Sequence, residues 1–580
     1  MFNRLQPLFP YMKKHRAGYA LGAACVLLQN GIAVLVPLII GRAIDHLWHG
    51  INRHQLLIDS ALILGVTCGK GIFLFLNRKI VISISREIEF EMRNDIFRHL
   101  ESLSYSFYQR TRTGDIMARA TNDLNAVRMV LGPAIMYSAN TLVFTLAALY
   151  FMIHISPWMT LYAFAPFPIV SIVVQYFGRR IHERFERIQA MFSDISARAQ
   201  ENFSAARVIR AYVQEDAEIA SFEAANKEYI NRSLKLVRLM GMLWPTLTTL
   251  LGFAIVVVVW VGGREAIQGH IKVGDFVAYL LYMFLLTWPM IALGWVINIF
   301  QRGTASLARI DEIMQEKPEV VDLAGDSAAA PAIQGEIEFR DLTFAYNGKP
   351  VLHDVNLRIP AGSSLAVVGP TGSGKSTLVS LIPRIYDAPR GSVLLDGRPI
   401  TDFPLHAVRR SIGFVPQETF LFSDTVQENI AFGTEHTDAE AVRQAAAGAS
   451  IAADIEDFPE QYATTVGERG ITLSGGQKQR TAIARAIIRN PRILILDDAL
   501  SSVDTQTEDK ILSHLSEVMR GRTTIFISHR VSTVRNADRI AVLHDGRIVE
   551  LGTHDELIAR NGYYTDLYNK QLLEEELAEV

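Results

Sequence analysis

Six apolar stretches constrain this 580-residue chain more than anything else in it, because each approaches or exceeds the roughly 20 helical residues needed to cross a hydrocarbon layer about 30 Å thick. They lie at about Ala17 to Ile40, Leu56 to Leu76, Val130 to Ile155, Trp158 to Phe177, Trp244 to Val261 and Phe276 to Phe300. Backbone in lipid must satisfy its own hydrogen bonds, so they predict a six-helix bundle in a membrane.

Lysine and arginine orient the bundle. Nine lie between Arg78 and Arg128 and eleven between Arg179 and Arg238, against none in His154 to Trp158 and two in Gly262 to Asp275. The positive-inside bias therefore places both termini and the two long connections in the cytosol. Those connections are too long for structureless loops, and stretches such as Ile84 to Arg93 and Ile188 to Ala197 carry helix formers at a 3.6-residue period. They predict membrane helices prolonged into the cytosol, with turns near Thr111 to Asp115 and near Gln214 to Asp216, where short helices can dock on a soluble domain.

Polar side chains inside the spans, Gln29, Asn30, Asp59, Lys70, Asn140, Gln175 and Asn298, leave a pathway role and interhelical hydrogen bonding as open alternatives. Trp244, Trp288, Trp295 and Met290 suit packing or interfacial anchoring better than a cavity wall. Met1 to Arg16 has no cleavage-site pattern, and its Leu5, Leu8, Phe9 and Met12 with Lys13, Lys14 and Arg16 fit a helix lying on the membrane surface. Cys25 and Cys68, both in apolar runs, read as packing residues and support no disulfide framework or cysteine metal site. A formal charge of -3 with no basic tract gives no reason to expect nucleic acid as a partner.

Composition changes after Phe300. A small-residue segment, Asp322 to Pro331, reads as a linker, and from Gly335 onward charges, glycines and short apolar runs mix as in an α/β domain. The expected organisation is a multidomain protein: an interfacial helix at 1–16, an all-α transmembrane domain at 17–314, a linker at 315–334, an α/β P-loop domain at 335–570 and an acidic tail at 571–580.

Within that second half the strand-like Ser364 to Val368 leads into Gly369, Pro370, Thr371, Gly372, Ser373, Gly374, Lys375 and Ser376, a G-x-x-x-x-G-K-S loop followed by Thr377. Such a loop wraps backbone amides around phosphates, its lysine neutralises the β- and γ-phosphates, and its serine offers a hydroxyl to magnesium. Ile493 to Asp497 is an apolar strand ending in a carboxylate, which makes Asp497 the candidate magnesium partner. The cofactors expected are ATP and Mg2+.

Between the two motifs stands Leu473-Ser474-Gly475-Gly476-Gln477, the pentapeptide that separates ABC ATPases from other P-loop proteins. With it the chain resembles an ABC exporter half-transporter of the multidrug and lipid-flippase type, with an MsbA-like fold. The resemblance implies further roles: Tyr346 stacks on adenine, Gln417 contacts magnesium and water, Thr465 to Gly470 marks an exporter, Asp504 bridges two nucleotide domains, and His529 lies near the γ-phosphate. It also implies that Ser474, Gly475, Gly476 and Gln477 face ATP held by an opposite chain, so a second half-transporter is required. The implied machine sits in the inner (cytoplasmic) membrane and moves a small hydrophobic solute or lipid outward at the cost of ATP, an ATP-gated channel or an importer on the same scaffold being the alternatives.

One position departs from the family pattern. Asp498 stands where a catalytic glutamate is expected, and the missing methylene leaves its carboxylate roughly 1.5 Å short of the 2.6 to 3.2 Å at which a base takes a proton. The sequence Asp497 to Asp504 resembles the MdlA-like member of heterodimeric pairs, so the reading favours a heterodimer with a weakly hydrolysing site over a slow homodimer.

Overall fold

The computed structural model describes the chain apart from residues 1, 49, 51–52, 323–331, 347, 468–469, 471, 500–510, 512–513, 529–533 and 579–580. It divides into two compact units: residues 1–98 with 114–315, and residues 99–113 with 316–580.

Among the described residues six helices are long and apolar enough to cross a membrane, Arg16–Trp48, Arg53–Ser102, Thr113–Ile155, Pro157–Ser204, Glu215–Ile267 and Val273–Gln315, and their apolar stretches all lie in the first unit. The second, third, fourth and fifth run on beyond their apolar stretches into the two long connections, which are therefore helical as the 3.6-residue period predicts. At their tips sit two short helices, Tyr105–Arg110 and Ala206–Ala211. The first tip turn is narrower than expected, because helix resumes at Thr113. The third membrane helix carries two π-helical segments, Arg119–Asp123 and Val130–Ala134, the second holding Pro133. A proline that removes an i to i−4 bond is one reason for such a widened turn.

Helix heights follow from close contacts. A Cβ on Gly18 would strike the Ile84 side chain and one on Gly22 that of Val81. If the first helix enters the membrane at Ala17, the second is still inside it at Ile84, further along than the expected end at Leu76. The polar groups that suggested an earlier end are partly absorbed by the bundle: Asn77 is buried, and Arg78 donates to the Tyr137 hydroxyl at 3.2 Å. Gln29 donates to Asn140 at 3.1 Å, Asn30 to the Val26 carbonyl at 2.9 Å, and Asp59 pairs with His46 at 2.9 Å. For Gln29, Asn140 and Asp59 the bridging role between helices is thus met. Cys25 is buried, whereas Cys68 is exposed and packs no core. Trp244, Trp288 and Trp295 are all exposed in the single chain, with Trp295 edge-on to Tyr137 at 5.1 Å.

In the second unit a four-stranded antiparallel sheet, order β2-β1-β4-β5, is formed by β1 (Ile337–Tyr346), β2 (Lys349–Ile359), β4 (Val393–Leu395) and β5 (Arg398–Pro399). A six-stranded sheet has the order β10-β9-β3-β8-β7-β6, from β3 (Ser364–Val368), β6 (Ile412–Val415), β7 (Ile493–Asp497), β8 (Thr523–Ile527), β9 (Arg539–His544) and β10 (Arg547–Gly552). All its pairings are parallel except β9 with β10. Strands β3, β7 and β8 are almost wholly buried, as strands covered on both faces must be, and this is why they read as unbroken apolar runs. The helix Tyr563–Ala578 takes in most of the segment expected to be an acidic tail.

Candidate nucleotide-binding site

Parallel strands direct their carboxyl ends to one edge of the sheet, where open α/β folds bind ligands. Two of the predicted motifs arise there: the P-loop leaves β3, and Asp497 closes β7 on the far side of β8.

The P-loop owes its shape to glycine. Gly369 has φ +150°, and a Cβ there would come within 2.0 Å of the Leu543 carbonyl oxygen. Gly374, φ +100°, forms the N-cap of the helix Lys375–Ser380 in a left-handed conformation that L side chains rarely adopt. A turn from the neighbouring hairpin supports the loop, with Gly546 N–H donating to the Ser373 carbonyl at 3.2 Å.

Lys375 is buried, and its ammonium donates to the Gly369 and Pro370 carbonyls, each at 2.9 Å. Burial holds it below the usual lysine range, while the Asp497 and Asp498 carboxylates pull the other way. Ser376 Oγ donates to Asp497 Oδ1 at 3.0 Å. A hydroxyl and a carboxylate oxygen side by side are the hard donors that magnesium takes. Among the described residues the buried Ser373 hydroxyl has no hydrogen-bond partner, which leaves a donor inside the phosphate cradle. These residues fit a magnesium-bound nucleoside triphosphate.

Asp498 is half-buried with φ +50°, and its N–H donates to the Ile527 carbonyl at 3.0 Å. The main chain is thereby tied to β8 as it leaves β7. Tyr346, at the end of β1, donates to the Thr377 hydroxyl at 3.2 Å, which joins the candidate adenine platform to the P-loop helix. Gln417 is exposed in the segment after β6.

The signature pentapeptide opens a 13-residue helix, Gly475–Ile487. Ser474 is its N-cap in a reciprocal capping box: Ser474 Oγ accepts from Gln477 N–H at 3.3 Å, and Gln477 Oε1 accepts from Ser474 N–H at 3.0 Å. Gln477 Nε2 also donates to Asp454 at 3.2 Å, and Asp454 pairs with Arg480 at 2.7 Å. The box leaves the Gly475 and Gly476 amides without intrahelical partners, at the positive end of the helix dipole. His529, Asp504, Glu468 and Arg469 lie outside the described residues.

Reading the sequence missed Tyr386, whose ring lies 5.0 Å from that of Tyr346. It belongs to no phosphate or metal motif, and only its place ten residues beyond the P-loop could have drawn attention to it.

Two family models match the chain: the ABC transporter transmembrane region over residues 19–290 and the ABC transporter model over residues 352–501. The chain is 35% identical to a probable multidrug resistance ABC transporter ATP-binding/permease protein, YheI, of Bacillus subtilis, over 99% of this chain and 98% of the relative. It is 35% identical to an ATP-dependent lipid A-core flippase of Syntrophus aciditrophicus, over 100% and 96%. With the multidrug resistance-like ATP-binding protein MdlA of Escherichia coli it shares 36% identity, over 96% and 94%. Similarity is spread evenly over these relatives, so no MdlA-like kinship stands apart. Among solved structures, a bacterial Atm1-family ABC exporter with ATP bound matches with a TM-score of 0.78 at 28% identity, covering 97% of this chain and 98% of that one. A six-helix multi-pass membrane domain and a cytosolic ATPase domain in one polypeptide make this chain a half-transporter of the exporter type, and it belongs to the ABC transporter family.

Proposed function

We propose that the chain is one subunit of a primary active exporter that moves amphipathic or apolar solutes, drugs or lipids, from the cytosolic side of the cytoplasmic membrane outward, paired with a second half-transporter. Support for the solute class comes from relatives described as multidrug resistance proteins and lipid A-core flippases. Within the site, the P-loop amides and Lys375 would hold the phosphates, Ser376, Asp497 and Gln417 would hold magnesium, Tyr346 would stack on the base, and the family pattern assigns His529 to the γ-phosphate. Ser474 to Gln477 act on ATP bound to the opposite chain, where the free Gly475 and Gly476 amides meet its γ-phosphate. Closure on ATP then requires that the nucleotide bind the closed dimer more tightly than the open one.

One observation carries the proposal of unequal sites: the residue after Asp497 is an aspartate whose main chain is tied to β8. Backbone adjustment toward the nucleotide would break that tie, so the shorter side chain is not readily compensated and the subunit binds ATP more than it hydrolyses it. The test is ATPase activity of the purified chain beside Asp498→Glu. A rise of tenfold or more in the variant is expected, and brisk wild-type turnover unchanged by the substitution would refute the idea. ATP-dependent solute uptake into inside-out vesicles separates an exporter from an importer, and passive ion current on ATP addition would indicate a channel.

A further inference from the structure

Four aromatic rings form a continuous chain in the second unit. Phe344 meets Tyr346 edge-on at 5.0 Å, Tyr346 meets Tyr386 at 5.0 Å, and Tyr386 meets Tyr105 at 6.0 Å. These are the edge-to-face separations at which aromatic pairs attract beyond their buried area. Tyr346 is the candidate adenine platform, and Tyr105 opens the short helix Tyr105–Arg110 at the tip of the first cytosolic excursion. That tip, residues 99–113, belongs to the same compact unit as the nucleotide-binding domain while being continuous in sequence with the second and third membrane helices.

The ring between them is well placed to hold both. Tyr386 is 9% exposed. Burial pushes its phenol above the usual tyrosine range, the Tyr346 and Tyr105 hydroxyls add to the effect, and the Gln109 side chain acts in the opposite direction. Its flanks are fixed as well. Two positions before it, Arg384 is fully buried, pairs with Asp387 at 2.7 Å and donates to the Val321 carbonyl at 2.9 Å. Val321 lies on the segment leaving the sixth membrane helix, and that segment is pinned to the same tip: Ser104 Oγ accepts from the Glu319 and Val320 amides at 2.8 and 2.9 Å. The turn Arg384 to Asp387 thus touches the adenine platform, the excursion tip and the connector.

We infer that Tyr386 is a positioning residue for the nucleotide base, holding Tyr346 in place for adenine and joining that platform to the excursion tip through Tyr105. This rests on the reading of Tyr346 as the adenine platform. By linkage, if base binding and the tip share one joint, a change at the tip must alter affinity for the base.

The experiment measures binding of Mg-ATP and of magnesium with inorganic tripolyphosphate, which has phosphates and no base, to the purified full chain by calorimetry. Tyr386→Leu is expected to weaken ATP about fivefold, the lower range of a lost base-aromatic stack, and to leave tripolyphosphate unchanged. Tyr386→Phe, which keeps the ring, should restore most of the ATP affinity. Tyr105→Leu should weaken ATP about twofold, with the double variant no worse than Tyr386→Leu alone. Tyr105 is 53% exposed, so its arm can be read even if Tyr386→Leu does not fold. The inference is overturned if ATP affinity is unchanged in Tyr386→Leu and Tyr105→Leu, if ATP and tripolyphosphate weaken together, or if the two substitutions simply add. Tyr346→Ala separates the two readings. Where it leaves ATP binding intact, the platform assignment and this inference fall together; where it weakens ATP but the other variants do not, only the inference falls.

Discussion

Ser376 Oγ and Asp497 Oδ1 stand 3.0 Å apart although 121 positions separate them in sequence. The P-loop brings one to the edge of the sheet and β7 brings the other. Their contact sets side by side two oxygen donors of the kind that would hold a magnesium ion at the P-loop. Replacing one of them, Asp497→Asn, keeps the shape and removes the charge. Magnesium should then strengthen ATP binding at least about tenfold less than in the native chain, a loss typical of a disturbed metal site. Binding of ATP titrated with and without magnesium measures this directly, while metal-free ATP should bind no worse, because a carboxylate near the phosphates has been neutralised.

A second pair ties the cytosolic ends of the third and sixth membrane helices. Asp123, nearly buried in the first π-helical segment, accepts from Arg309 Nε at 2.8 Å, from a second Arg309 nitrogen and from Ser306 Oγ at 2.8 Å. The Arg309 hydrogen bond holds the Asp123 carboxyl below the usual aspartate range, against the effect of burial. A carboxylate with a depressed folded pKa stabilises fully above its unfolded pKa of about 4, and that contribution is lost as pH falls through the folded value. Arg309→Met should cost about 1 to 3 kcal/mol at pH 7, less than for a fully buried pair because Arg309 is half exposed to screening solvent. The gap in thermal stability between native chain and variant should narrow as pH is lowered from 5 toward 3.

The contrast between these pairs shows what the sequence makes legible. Ser376 and Asp497 were readable because phosphate chemistry demands fixed residue types at the ends of apolar strands, and both motif and strand survive in the linear pattern. Asp123 and Arg309 carry no such local mark: a charge on a long helix reads as a solvated face until the partner helix is placed beside it. The six spans were visible as apolar windows, but the end of the second could not be set from hydropathy alone, since Asn77 and Arg78 look like a boundary, whereas Asn77 is buried in the bundle and Arg78 donates to the Tyr137 hydroxyl. Tyr386 was hidden for a related reason, because the contacts that distinguish it join β1, the P-loop region and a segment 281 residues upstream.

Arg485 offers a test within the helical part of the nucleotide-binding domain. It lies on the signature helix with its guanidinium 5.6 Å from the centroids of both Phe422 and Phe432, and donates to the Asn429 and Phe420 carbonyls at 2.7 and 2.8 Å. Burial lowers its pKa to about 10, still well above neutrality. Lysine would keep the charge but lose the planar fork that serves several acceptors and both rings. Arg485→Lys should destabilise the segment 420–432 by about 1 to 3 kcal/mol. Hydrogen exchange measures it: amides of that segment should exchange roughly 5- to 160-fold faster, with protection of β3 and β8 unchanged.

Close helix contacts in the membrane domain make a prediction that depends on what stands opposite each glycine. A Cβ on Gly274 would approach the Gly41 carbonyl oxygen to 2.0 Å, and Gly274 N–H donates to Asp45 at 2.7 Å. A Cβ on Gly303 would come equally near, at 2.1 Å, but to a methyl of Val130, with the nearest backbone atom at 3.1 Å. A methyl can be moved by rotating one side chain, at a cost near that of an off-rotamer torsion, about 0.5 to 1.5 kcal/mol. A carbonyl on a neighbouring helix yields only if the whole helix shifts. Gly274→Ala should therefore cost more than Gly303→Ala, about 3 kcal/mol or above, as the first and sixth helices separate and the Asp45 hydrogen bond is strained. Thermal unfolding of both variants in the same lipid or detergent gives the comparison, and the order should reverse if the sixth helix is free to slide at Gly274. Pairing Gly274→Ala with Asp45→Asn adds a check on cause: when the backbone clash already displaces the hydrogen bond, removing the carboxylate charge should cost less in the variant than in the native chain.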